Sequence, residues 1–139
     1  MLKKILLVED NPADAELVRI VVAELGLAAE VQHAQGAEEV FEYLDNPSTV
    51  HSQIAFILLD LNMPRVGGIE ILQRIRQSKQ YGLLPVIIFT SSANKTDVLA
   101  CYNSGANAYV CKPIDFVDFS NTISAIAEFW LKSNLMPKM

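Results

Sequence analysis

Four apolar runs in this chain end on residues able to do chemistry. KKILLV runs into Glu9 and Asp10, IAFILL into Asp60, VIIF into Thr90 and Ser91, and NAYVC into Lys112. Carboxylates held close together repel, and a bound cation relieves that without protonating them. Oxygen donors with no His or Cys among them suit a hard ion, Mg²⁺ ahead of Ca²⁺ or Zn²⁺. A carboxylate nucleophile beside Mg²⁺, a hydroxyl and an amine is equipped to accept a phosphoryl group. That group carries three charged oxygens, and Mg²⁺, the Thr90 hydroxyl and the Lys112 ammonium can take one each. For any single one of these residues an ordinary salt-bridge cluster is the better reading. For all of them at successive strand ends it is a poor one.

Such an arrangement needs strands that surface along one edge. Residues 54–59 are an unbroken apolar run closed by Asp60 and, soon after, Pro64, which reads as a strand buried on both faces. Residues 3–8 and 86–90 read alike, 107–111 form a last strand, and the roughly alternating 29–34 reads as an edge. Helices fall between them. The first is capped by Asn11, opened by Pro12, favoured by Asp14 and Glu16 at its positive end, and stopped by Gly26. The others run over 37–44, from Gly68, over 95–103, and over 116–131, and residues 45–53 form a polar loop. Five βα units imply an α/β fold, a flavodoxin-like (βα)5 doubly wound parallel sheet of order 2-1-3-4-5. All strand ends named above then share the carboxyl edge, where such sheets bind ligands.

At 139 residues, with 51% apolar and 19% charged residues, the chain reads as one domain with a sizeable core. A net charge of −5 with no basic cluster argues against nucleic-acid binding. The short apolar stretch after Lys3 and Lys4 suits neither a signal peptide nor a membrane span, so a cytoplasmic protein is expected. Cys101 and Cys111 lack metal or redox spacing, and Cys111 reads as a small core residue. His33 and His51 read as ordinary surface residues.

LVEDN, LLDLNMP, FTSS and YVCKP, in this order, resemble the four signature segments of the response-regulator receiver domain of two-component signalling. The resemblance spans about residues 3–131. It implies that Asp60 accepts a phosphoryl group from a histidine kinase and that Asp10 holds Mg²⁺ directly, with Glu9 acting through water. It also implies that Asn62 lends a backbone carbonyl to the metal, that Thr90 and Lys112 contact the phosphoryl group, and that Tyr109 is the aromatic switch partner of Thr90. A cis peptide before Pro113 is implied as well. Gly67 departs from the aspartate frequent in the family, and Ser92 with Asn62 borders the water path to the acyl phosphate. The 45–53 loop and the ending AIAEFWLKS look more like small regulators paired with cyanobacterial phytochromes, so a phytochrome kinase is the expected partner.

Residues 132–139 leave no room for an output domain, so 1–139 is expected to be a single receiver domain signalling by a change of surface. On the final helix Phe116, Phe119, Ile123, Ile126 and Trp130 form one stripe and are expected in the core. Phe129 and Leu131 lie off that stripe. With Leu135 and Met136 they suggest an exposed apolar patch for a kinase or for a homodimer through the fourth helix, fifth strand and fifth helix.

Three other functions compete. An aspartate-nucleophile phosphatase resembling haloacid dehalogenases wants an acid two residues after the nucleophile, where Asn62 stands. An FMN binder on the same fold wants a phosphate-cradling loop after the first strand, where Glu9 and Asp10 would repel it. A docking module independent of phosphorylation would not need the intact acids, Thr90 and Lys112. The expectation is therefore a phosphoacceptor signalling protein, not an enzyme with an external substrate, though it takes part in its own phosphoryl transfer and dephosphorylation.

Overall fold

The apolar runs pair into a single parallel sheet, described here for residues 2–137 of a computed structural model. In chain order the elements are β1 (Lys3–Val8), α1 (Pro12–Leu25), β2 (Ala29–Ala34), α2 (Ala37–Leu44), β3 (Ile54–Leu59), α3 (Gly68–Gln77), β4 (Val86–Thr90), α4 (Lys95–Asn103), β5 (Ala108–Cys111) and α5 (Phe116–Glu128). The strand order is β2-β1-β3-β4-β5. Every pairing is parallel. This is the flavodoxin-like sheet expected from the sequence.

All six residues of β3 are buried, because helices cover both faces of the central strand. Side chains alternate across the sheet. Phe56 and Leu58 pack with Val18, Val22, Phe119 and Ile123 of α1 and α5. Ile57 and Leu59 pack with Val40, Leu44, Ile71, Ile75 and Cys101 of α2, α3 and α4. Local signals place the helix ends. Asn11 Oδ1 accepts from the amides of Ala13 (2.9 Å) and Asp14 (3.2 Å), and Gly26 closes α1 at φ 64°.

Several expectations need correction. Leu131 is buried (4% exposed), not part of a surface patch. Past α5 the backbone widens into a π turn, Phe129–Ser133, in which the Asn134 amide donates five residues back to the Phe129 carbonyl. Each residue there advances by less than the 100° of an α-helix, so Leu131 lags round onto the buried stripe. Lys3 Nζ also donates to the Leu131 carbonyl (2.7 Å). Trp130 is only half-buried, and Met136 is half-buried against the α2–α3–α4 core layer. Phe129 and Leu135 are exposed as expected. Phe116 is exposed instead of core, because it is the first residue of α5 and its side chain points back beyond the covered part of the sheet.

Cys111 is exposed, being the last residue of an edge strand with a sheet neighbour on one side only. The described residues contain no cis peptide, so the Lys112–Pro113 bond is trans, the isomer X–Pro bonds ordinarily favour. Neither histidine is a free surface residue. His33 Nε2 bonds to the Glu9 carbonyl and His51 Nε2 to the Leu44 carbonyl, each at 2.7 Å. Residues 45–53 include a short 3₁₀ turn, His51–Gln53. Thr49 Oγ1 donates to the Tyr43 carbonyl (2.6 Å) and the Tyr81 hydroxyl to Asp45 (2.7 Å), which ties this loop to its neighbours. No helix among the described residues is long and apolar enough to cross a membrane.

Candidate functional site

The carboxyl ends of β1, β3, β4 and β5 converge because the sheet is in register up to its rim. The Glu9 amide donates to the Ala34 carbonyl (3.0 Å), the Asp60 amide to the Val8 carbonyl (3.0 Å), and the Lys112 amide to the Thr90 carbonyl (2.7 Å). Glu9, Asp60 and Lys112 are thus each fixed by a backbone bond that continues the ladder by one step.

Burial follows from that position. Glu9 is 2% exposed, Asp60 7% and Thr90 0%, while Asp10 is exposed. Burying carboxylates costs free energy unless they find partners. The partner here is Lys112, whose Nζ lies 2.6 Å from Glu9 Oε1, 2.9 Å from Asp14 Oδ2 and 3.2 Å from Asp60 Oδ2. An ammonium has three N–H donors, and all three are aimed at carboxylates. The ring of Phe89 lies beneath it, its centroid 5.8 Å from Nζ.

These contacts shift the titrations in opposite directions. Burial pushes Glu9 up to about 7, assisted by the neighbouring Asp60 and opposed by Lys112. Burial alone would lower the Lys112 ammonium, but bonds to Glu9 and Asp14 and the charges of Glu9 and Asp60 hold it well above its ordinary value.

Glu9, Asp10 and Asp60 each offer an oxygen within 4.8 Å of the others. Lys112 bonds to Glu9 and Asp60 but leaves Asp10 without a hydrogen-bond or ion-pair partner among the described residues. One ammonium against four neighbouring carboxylates, Asp14 included, leaves an excess of negative charge. An all-oxygen donor set with excess charge fits a hard divalent ion such as Mg²⁺.

The loop after β3 completes the pocket. The Asn62 amide reaches Asp60 Oδ1 (3.3 Å), and Asn62 Nδ2 donates to Thr90 Oγ1 (3.3 Å). Gly68 lets the loop fold back on itself, since a Cβ there would stand 2.5 Å from the Asp60 carbonyl oxygen and 2.9 Å from Leu61 Cα. Gly67 precedes α3 without a side-chain cap. Tyr109 does not point at Asp60. Its hydroxyl donates to the Ser92 carbonyl (2.7 Å), and burial raises its pKa. The Ser92 hydroxyl donates to Asp97 Oδ2 (2.6 Å), so this side chain braces the start of α4.

The structure therefore brings together Glu9, Asp10, Asp60, Asn62, Thr90 and Lys112, with Tyr109 one loop away. It adds Asp14, which sequence reasoning placed only at a helix dipole. A signal existed. A helix entered directly from the carboxyl end of a strand aims its first-turn side chains back toward that end.

A family model described as the response regulator receiver domain matches residues 5–124. The chain is 34% identical to the probable methanogenesis regulatory protein FilR2 of Methanothrix harundinacea (strain 6Ac), over 96% of this chain and 86% of that protein. It is also 34% identical to response regulator Rcp1 of Synechocystis sp. (strain ATCC 27184 / PCC 6803 / Kazusa), over 97% of this chain and 93% of that one. Among solved structures, the phosphorylated cyanobacterial phytochrome response regulator RcpA superposes with a TM-score of 0.90 at 31% identity, over 99% of this chain and 100% of that one. The Mn²⁺-bound form of Rcp1 does so at 0.87 and 32%, covering 98% and 99%.

Proposed function

The chain belongs to the response regulator receiver domain family and is related to the phytochrome response regulators, and from that membership we propose that it accepts a phosphoryl group on Asp60 from a sensor histidine kinase. The observation that carries this reading is the Lys112 ammonium bonded to Asp60 Oδ2 beside the Glu9–Asp10–Asp60 oxygen cluster. An Asp60 carboxylate oxygen attacks phosphorus and forms the new P–O bond as the P–N bond to the kinase histidine breaks. The electron pair leaves on the imidazole nitrogen, which takes a proton from water.

Glu9, Asp10 and Asp60, with the Asn62 backbone carbonyl, would hold the metal. Bound Mg²⁺ supplies positive charge for the phosphoryl oxygens. Lys112 turns one N–H to a phosphoryl oxygen in place of the Asp60 oxygen that now bridges to phosphorus. The Thr90 hydroxyl, now accepting from Asn62, donates to another. Drawing Thr90 toward the phosphoryl group empties space on its far side, and Tyr109, whose hydroxyl is bonded to the Ser92 carbonyl, follows it.

The resulting change of surface falls on the face formed by α4, β5 and α5. Leu99, Tyr102, Ile114, Phe116, Val117 and Phe129 are exposed on these elements and their connections, an apolar supply for a homodimer or for kinase docking. The phytochrome kinase partner rests on the relationship to RcpA and Rcp1, and the reading places the protein in the cytoplasm without nucleic-acid or membrane contact.

Incubation with Mg²⁺ and acetyl phosphate, followed by intact-mass measurement, tests the assignment. Wild type gains one phosphoryl group and Asp60→Asn gains none. No adduct on wild type, or an undiminished one on Asp60→Asn, refutes it.

A further inference from the structure

Lys112 spends its three N–H groups on three carboxylates that are not equivalent. Glu9 and Asp60 belong, with Asp10, to the oxygen cluster that fits a divalent ion. Asp14 does not belong to it and stands on α1, behind the strand ends. Its side chain is 28% exposed against 3% for Glu9 and 8% for Asp60, so it is the acceptor of Lys112 that water reaches most.

This difference matters once Asp60 is phosphorylated. The Asp60 oxygen that accepts phosphorus becomes the bridging oxygen of an acyl phosphate, and Glu9 and Asp10 would be committed to a bound cation. Two of the three acceptors of Lys112 are then altered or engaged elsewhere. The third is untouched. Resting on the reading of Asp60 as phosphoacceptor, we propose that Asp14 is a positioning residue: it anchors the Lys112 ammonium beside Asp60 and keeps it from closing over the metal oxygens.

The backbone equips Asp14 for this. Its amide is tied to Asn11 Oδ1 (3.2 Å), which fixes the first turn of α1 and directs the carboxylate back toward the strand ends. Without that carboxylate the ammonium keeps only Glu9 and Asp60, the two groups that the metal and the incoming phosphoryl group must reach. Lys112 then competes with both. A carboxylate in the first turn of a helix also has a purely structural use, since it complements the helix dipole. That use affects stability but not the rate of phosphoryl transfer.

The test is the rate of phosphorylation by acetyl phosphate at saturating Mg²⁺, followed by intact mass. The Asp60 oxygen bonds to phosphorus as the bond from phosphorus to the acetate oxygen breaks, and acetate leaves. Asp14→Asn is expected to lower the maximal rate on the order of 10-fold, as loss of an outer-shell partner commonly does. Asp14→Glu restores part of it. In a Lys112→Gln background Asp14→Asn adds no further loss, because the residue acts through the ammonium. Mg²⁺ titration by calorimetry gives a readout independent of turnover, with weaker binding to Asp14→Asn than to wild type. A wild-type adduct with Asp14→Asn within about twofold of wild type in rate overturns the proposal alone, as does full additivity of Asp14→Asn with Lys112→Gln. No adduct on wild type overturns both the proposal and the reading of Asp60.

Discussion

Removing the cation from the site tests how its charges are balanced. Lys112→Met keeps much of the side-chain length over Phe89 and deletes the ammonium. The three ion pairs it breaks have N–O distances of 2.6, 2.9 and 3.2 Å, and the lysine side chain is only 8% exposed. Breaking a buried pair by removing one partner costs about 3–5 kcal/mol, because the other charge is left uncompensated. For a domain of 139 residues, with an unfolding entropy of about 2.1 cal/mol/K per residue, that is a fall in Tm of roughly 10–17 °C. The measurement belongs at pH 8, above the value of about 7 to which burial raises Glu9 while Lys112 opposes the rise; deleting the ammonium pushes Glu9 further up, so the variant takes up part of a proton there. Mg²⁺ should restore much of the loss. At 100 times its Kd a ligand stabilises by about 2.7 kcal/mol, and without Lys112 no ammonium competes for Glu9 and Asp60. Calorimetric or urea unfolding with and without Mg²⁺ checks both parts. A destabilisation below about 1 kcal/mol would refute this account of the charges, and so would Mg²⁺ stabilising wild type as much as the variant.

Three further outcomes follow from the packing. Leu131→Ala should cost about 2–4 kcal/mol in urea unfolding, as a buried leucine does, whereas Phe129→Ala on the exposed side should cost under about 1 kcal/mol. Equal effects would contradict the rotation imposed by the π turn. Burial and the Asp45 bond push the Tyr81 phenol from 10.0 up to about 12, so the folded state keeps its proton in a window where the unfolded chain loses it. That stabilisation is complete below pH 10 and is lost as pH rises toward 12. Tyr81→Phe should therefore be about 1 kcal/mol less stable at pH 7, with the gap closing by pH 11. A gap that is constant or widens would show the sign to be wrong. Exposed Cys111 should alkylate in the native state, while Cys101, fully buried with its thiol raised to about 11 by burial, should react only on unfolding. Native labelling of Cys101 would contradict the packing of α4.

The sheet was legible in the sequence because its signals are local. Apolar runs such as residues 54–59 need no partner to be recognised, and Asn11, Pro12 and Gly26 punctuate α1 through their own backbone chemistry. Parallel strands joined by helices then force every strand end to one edge, so the gathering of Glu9, Asp10, Asp60, Thr90 and Lys112 needed only the order of elements. What the sequence hid depends on distances between separate elements or on small rotations. Leu131 looked outward because a uniform 100° per residue was assumed, and one wider turn moved it inside. Phe116 and Cys111 are apolar by composition but stand where the covering elements stop.

For the site itself, the sequence determined the chemical types: oxygen acids, a hydroxyl and an amine at strand ends. Tertiary structure alone decided how the positive charge is shared. Nothing local says that Lys112, ninety-eight positions from Asp14 in the chain, bonds to it as well as to Glu9 and Asp60. Coulomb attraction acts through space, and in a poorly solvated pocket it ranks partners by distance, which only the folded chain sets.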